Sequence, residues 1–123
     1  MATRQEAFDK LLGDLDSVQG SQGTMIVSKT GEVIAANIGK GFSQDKISAL
    51  ASDAVNVVNK VTAELNYGTP ETMVIESSRG KFATIAAEKA GAFLIVIGSE
   101  DMNVGMLKMT LQEAIESFDE EMK

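Results

Sequence analysis

Apolar residues recur every three or four positions in three long stretches of the chain, a spacing that predicts amphipathic helices. The first stretch predicts a helix near residues 3 to 17. The second begins at Ser43, a suitable N-cap, and continues to about Asn66. The third begins after Asp101 or Asn103, and one face of it remains apolar almost to the end of the sequence.

Five shorter apolar stretches lie between these helices and predict strands. The last of them is apolar throughout from Phe93 to Ile97, which suits a central strand covered on both faces. The resulting order, α-β-β-α-β-β-β-α, predicts an α+β fold with a five-stranded antiparallel sheet and helices on both faces. No repeat or linker interrupts the pattern, so we expect residues 1–123 to form a single domain. The predicted strands are Thr24–Ser28, Val33–Ile38, 71–78, 81–88 and 92–99.

The predicted middle helix is apolar on more than one side. One seam contains Ile47, Leu50, Ala54, Val57 and Val61, and Ala51, Val55 and Val58 add a second apolar face beside it. Such a helix is too apolar to turn one side to water, unless its own sheet covers a very wide stripe. We therefore predict that it packs on a symmetry-related copy across a two-fold axis. The interface residues predicted on this helix are Ile47, Leu50, Ala51, Ala54, Val57, Val58 and Val61.

The third strand is expected at an edge of the sheet, because the three last strands form a meander around the central one. An exposed apolar edge strand invites pairing with another chain, and pairing across the same two-fold axis would give one continuous sheet per dimer. An ordinary edge, protected by Glu71 and Glu76, is the alternative. The interface residues predicted on this strand are Thr72, Met73, Val74 and Ile75.

Charge and composition limit the classes of partner that the chain is expected to bind. The formal net charge of −7 argues against nucleic acid, which needs a basic surface. No apolar run reaches the roughly 18 residues that insertion into a membrane requires. The N-terminal stretch contains acidic residues and does not read as a secretory signal. Cysteine is absent, so there is no disulfide framework, and a cytoplasmic protein is the simplest expectation.

The residue types of common catalytic sites are missing or scattered. Histidine is absent, so no serine has its usual activating base, and no cysteine can supply a thiolate. The glycine-rich stretches lack the signatures of phosphate-binding loops. Arg79 could reach a partner's nucleotide as an arginine finger does, although a solvated turn residue is the simpler reading. We predict no catalytic, cofactor or metal site. We expect Met102, Met106 and Met109 to fill the core, although methionine also suits binding surfaces.

Four stretches of the chain together resemble the roadblock family, the domain of the dynein light-chain type. They are the hairpin "TMIVSKTGEVIAA", the small-residue helix "ISALASDAVNVVNKV", the meander ending "AFLIVIGSED" and the segment "NVGMLKMTLQEAI". The likeness covers about residues 8 to 118 and rests on the order and pattern of elements, since none of the stretches is a catalytic fingerprint.

The resemblance implies a profilin-like roadblock fold and a homodimer joined through the middle helix and the third strand. It also implies a non-enzymatic scaffold or regulator that binds a small Ras-like GTPase or a related NTPase. Within the family, the chain resembles the compact prokaryotic members. A small-ligand sensor of the PAS or profilin-like type is the alternative. That alternative would need a concave pocket lined by convergent polar groups.

Overall fold

The computed structural model describes residues 3–87 and 91–121. Its elements follow the predicted order, with three helices and five strands. They are α1 (Arg4–Asp16), β1 (Ser21–Ser28), β2 (Val33–Ile38), α2 (Gln44–Glu64), β3 (Thr72–Ser77), β4 (Gly80–Ala87), β5 (Ala92–Gly98) and α3 (Val104–Glu121).

The strands form one antiparallel sheet in the order β2-β1-β5-β4-β3. The apolar strand β5 lies at the centre, and β3 lies at an edge, as the sequence predicts. Helices α1 and α3 pack on one face of the sheet and α2 packs on the other. The prediction of an α+β fold with a five-stranded antiparallel sheet and helices on both faces is therefore confirmed.

Alternating side chains of the strands build a separate core on each face. On β1, Ile26 points into the larger core beneath α1 and α3, while Met25 and Val27 point into the smaller core beneath α2. On β5, Leu94 and Phe93 divide in the same way. Strands β1 and β5 are therefore buried on both faces, which explains their continuous apolar stretches.

Strand β1 begins at Ser21, three residues before the predicted start at Thr24. The prediction placed Gly23 outside the strand because glycine commonly interrupts regular structure. In the structure Gly23 pairs with Ile38, and a Cβ atom at Gly23 would lie 2.8 Å from the Ile38 Cγ1 atom. Glycine at this position thus permits a close approach of two strands.

Helix α2 has the predicted start and nearly the predicted end. The Ser43 hydroxyl accepts a hydrogen bond from the backbone N–H of Lys46 at 3.4 Å. The helix gives way at Leu65, and Asn66 and Gly68 follow with φ values of 58° and 85°. The left-handed backbone at these two residues turns the chain towards the edge strand.

Met102 anchors the connection between the sheet and α3. Its side chain is fully buried, and its backbone carbonyl accepts a hydrogen bond from the Lys81 ammonium group at 3.0 Å. Gly20 and Gly98 lie against it, because a Cβ atom on either would come within 3 Å of Met102 atoms. Asn103 then caps α3, its side-chain oxygen accepting from the backbone N–H of Met106 at 3.0 Å.

The prediction that three methionines fill the core is correct for Met102 and wrong for the other two. Met106 and Met109 are 55% and 59% exposed. They project from the outer side of α3, because Leu107 and Leu111 occupy the positions that face the sheet.

We predict that Gly20→Ala destabilises the chain by about 2 kcal/mol, whereas Gly13→Ala does not. Gly20 has a φ of 89°, and its added Cβ atom would lie 2.8 Å from the Met102 Cα atom. Gly13 lies in α1 with nothing within 4 Å of an added Cβ atom, so alanine there should stabilise the helix by roughly 0.5–1 kcal/mol. Urea unfolding of both variants measures the difference, and equal stabilities would show that Met102 is not tightly packed.

Candidate protein-interaction site

Helix α2 covers only part of its face of the sheet. Ile47, Ala51 and Val55 pack onto the smaller core, whose sheet residues come from β1, β2 and β5. On the same face, Phe82 of β4 is only half-buried and Ile75 of β3 is 39% exposed. The half of the sheet that ends at β3 is therefore left partly open on this side.

A groove of about 450 Å³ runs between α2 and this open half of the sheet. Its floor includes Phe82, Ile95 and Ile97, and its wall includes Leu50 and Ala54 of α2. Polar groups are confined to a few positions. The remaining lining residues are Gln22, Phe42, Ile47, Ala51, Ser77, Arg79, Gly80, Lys81 and Gly98.

One side of α2 carries a row of apolar side chains, of which Leu50 and Ala54 line the groove. Leu50, Val57 and Val61 are 68%, 58% and 52% exposed, and Ala54 lies between them at the same helical spacing. We call these four residues the α2 stripe. A continuous exposed apolar stripe beside an apolar groove is typical of a protein interface, since isolated domains rarely leave such a patch in water.

The structure divides the predicted helix residues into two groups. Ile47 and Ala51 face the chain's own sheet, and Val58 is half-buried beside β3, where it lines a small cavity with Met73. The other four predicted residues form the α2 stripe. Helical spacing had placed Ile47 in the same seam as the stripe, but its side chain packs on the sheet.

The predicted residues of β3 also divide between the two faces. Met73 lies on the α2 side, and strand alternation places Ile75 there too. Val74 packs against the larger core on the opposite side, and Thr72 adjoins α3 residues there. Within residues 3–87 and 91–121, no strand pairs with the outer edge of β3. Its outward backbone groups are thus available for pairing.

Sequence reasoning missed part of the groove. Phe82 and Phe42 line it, and neither was predicted to contribute. Strand alternation could have indicated Phe82, because Phe82 and Thr84 share the face opposite Ala83. Phe42 precedes the N-cap of α2, where an apolar residue commonly packs beside the first helical turn. Arg79 is exposed, as expected of a turn residue, and it also lies at the groove.

The described part of the chain shows no group of three or more Asp, Glu, His or Cys residues that could hold a metal ion. None of its helices combines the length and apolar character needed to cross a membrane. The features of the site that another protein could contact are its apolar surface and the unpaired edge of β3.

The Roadblock/LC7 domain model matches residues 7–98, and the chain belongs to this family. Two uncharacterised proteins of Methanocaldococcus jannaschii are similar along almost their whole length. MJ1340 is 31% identical over 111 residues, which is 90% of this chain and 96% of the relative. MJ0310 is 30% identical with the same coverage.

Solved structures share the fold at lower identity. A Roadblock/LC7 domain from Streptomyces avermitilis is 19% identical, with a TM-score of 0.81 over 93% of this chain and 96% of that one. The gliding protein MglB from Thermus thermophilus is 16% identical, also with a TM-score of 0.81, over 96% and 90%. Acanthamoeba castellanii profilin II has a TM-score of 0.58 at 16% identity, over 89% and 90%, in agreement with a profilin-like fold.

Proposed function

We propose that this chain is a homodimeric scaffold that binds and regulates, or positions, a small Ras-like GTPase or a related NTPase. The observation that supports a dimer is the α2 stripe. It lies beside an apolar groove, and the half of the sheet next to that groove ends at the unpaired edge strand β3. Surfaces of this kind lose unfavourable contact with water when a second copy covers them.

The proposed dimer joins two copies in two ways at once. The β3 strands pair edge to edge across a two-fold axis, which extends the sheet from one copy into the other. The α2 stripe of each copy then packs into the groove beside the other copy's helix. An isologous arrangement uses the same surface twice, so Leu50, Ala54, Val57, Val61, Met73 and Ile75 all contribute to both halves. Ile47, Ala51 and Val58 support the helix from beneath.

We expect light scattering to give a mass of about 26 kDa, twice the 13.1 kDa of one chain. Ala54→Asp should convert the protein to a monomer, because a desolvated carboxylate without a partner is strongly unfavourable. A cost of about 3 kcal/mol corresponds to a roughly hundredfold weaker dimer.

Ala49→Asp is the matched control, because it places the same residue on the same helix at an exposed position outside the α2 stripe. It should keep the mass of the dimer. A wild-type monomer at micromolar concentration would contradict the proposal, and so would dissociation of both variants alike.

Family membership supports a GTPase as the partner, and the likeness to MglB structures agrees with it at the level of the fold. One solved structure is described as MglB with a tetrameric arrangement, so assembly from several copies is compatible with this fold. Histidine and cysteine, which supply many catalytic bases and nucleophiles, are absent from the sequence. This favours regulation by protein–protein contact over catalysis by the chain itself.

The immobilised protein should retain a small GTPase from a lysate of its source organism in a nucleotide-dependent way. Parallel captures with GDP and with a non-hydrolysable GTP analogue would show which state is recognised. The rate of GTP hydrolysis by the retained enzyme, with and without this protein, then separates a regulator from a passive scaffold. Proteins retained equally in both nucleotide states would leave a scaffold and remove the GTPase from the proposal.

The alternative of a small-ligand sensor has less support. Thr84 is buried and polar, but the cavity beside it has a volume of only about 40 Å³, room for roughly one water molecule. The larger groove is bounded by exposed side chains such as Leu50, whereas small-molecule sites usually enclose most of their ligand. A monomer stabilised against heat by one member of a metabolite panel would favour the sensor.

A further inference from the structure

Nearly all of the net charge of the chain lies in two helices on one side of the sheet. Helices α1 and α3 contain nine acidic and three basic residues, a net charge of −6. The rest of the chain contains nine acidic and eight basic residues, so it contributes only −1 of the total of −7. Helices α1 and α3 therefore make their side of the sheet acidic, whereas α2, with three acidic and two basic residues, has a net charge of only −1.

The outer surface of α3 combines this charge with exposed apolar side chains. Met106, Met109, Glu113 and Glu116 are all exposed, and their spacing of three, four and three residues places them in one row. We call this row the α3 stripe. It spans residues 106–116, or about 15 Å of helix, with an apolar half followed by an acidic half.

The methionines of the α3 stripe do not contribute to the core of the chain. They are more than half exposed, although Met102 just before the helix is completely buried. Methionine is flexible and polarisable, and it is common on surfaces that bind apolar side chains of a partner. Within residues 3–87 and 91–121, neither Glu113 nor Glu116 has an ion-pair partner. Both halves of the stripe are thus available to another molecule.

We propose that the α3 stripe docks a basic amphipathic helix of another protein. Apolar side chains of that helix contact Met106 and Met109, and Lys or Arg side chains one or two turns further along pair with Glu113 and Glu116. Charge complementarity selects this occupant. A second copy of the chain would bring like charges together, and nucleic acid and anionic membranes would be repelled by the same acidic helices.

This surface is separate from the proposed dimer interface. The sheet lies between α3 and α2, so a dimer formed through the α2 stripe leaves the α3 stripe exposed on each copy. The scaffold could then bind the basic helix of one partner through the α3 stripe, while the opposite side of the sheet forms the dimer and binds the GTPase.

The test uses a synthetic, fluorescently labelled Lys/Leu peptide of about 14 residues, long enough to cover the α3 stripe as an amphipathic helix. Fluorescence anisotropy measures the affinity of the peptide for the full chain. The measurement is made in about 150 mM salt, at which long-range attraction between surface charges is largely screened. We expect saturable binding to the wild type. The double variant Met106→Gln with Met109→Gln should weaken binding at least about tenfold without any change in net charge.

Charge variants on the two sides of the sheet provide the matched comparison. Glu113→Gln with Glu116→Gln should weaken binding about tenfold and reduce its dependence on salt. Asp53→Asn with Glu64→Gln removes the same charge from the exposed surface of α2 and should leave binding almost unchanged. Equal losses in these two charge variants would overturn the proposal in favour of non-specific attraction. No binding by the wild type, or full binding by the methionine variant, would also overturn it.

A variant that prevents dimerisation shows whether peptide binding by the α3 stripe requires the proposed dimer. Ala54→Asp should bind the peptide as the wild type does, even as a monomer, because its α3 stripe is intact. Loss of binding in this variant would contradict the independence of the two surfaces. Urea unfolding confirms that each variant remains folded under the conditions of the binding measurement.

Discussion

The rest of the structure depends on a mismatch of width between the sheet and the helices on its two faces. Five strands spaced about 4.8 Å apart span roughly 20 Å, and a helix with its side chains is about 10 Å across. The two helices α1 and α3 together suffice to cover one face. The single helix α2 can cover only about half of the other, and the β4–β3 half stays partly open.

That constraint gives the α2 stripe and the groove a common origin. Apolar residues on the open half of the sheet, such as Phe82, need a cover that the chain's own elements do not supply. Leu50 and Val57 need one as well, because both side chains are more than half exposed. A second copy placed beside the first would satisfy both needs, while β3 pairs with its counterpart. The proposed homodimer would complete a three-layer arrangement that one chain leaves unfinished.

Much of the fold could be predicted from the sequence because its elements are locally consistent. Helical spacing, the Ser43 cap and the apolar run of β5 each identify an element without knowledge of its neighbours. The start of β1 could not be predicted in this way, because the role of Gly23 depends on Ile38 of another strand.

The candidate site was predictable in outline only. The sequence showed that α2 is apolar on two sides, but helical spacing cannot say which side meets the sheet. That orientation is set by the packing of Ile47 and Ala51 on the smaller core. The outward position of Met106 and Met109 was missed for a related reason, since methionine suits a core and a binding surface equally well.

Isotope-filtered nuclear Overhauser measurements can detect whether two copies join through β3 and α2, as we propose. A sample that mixes labelled and unlabelled chains reports only contacts between copies. We expect intermolecular contacts between backbone protons of the two β3 strands, accompanied by contacts between side chains of Val57 or Val61 and the other copy. A dimer whose intermolecular contacts come from α1 and α3, with none from β3, would contradict it.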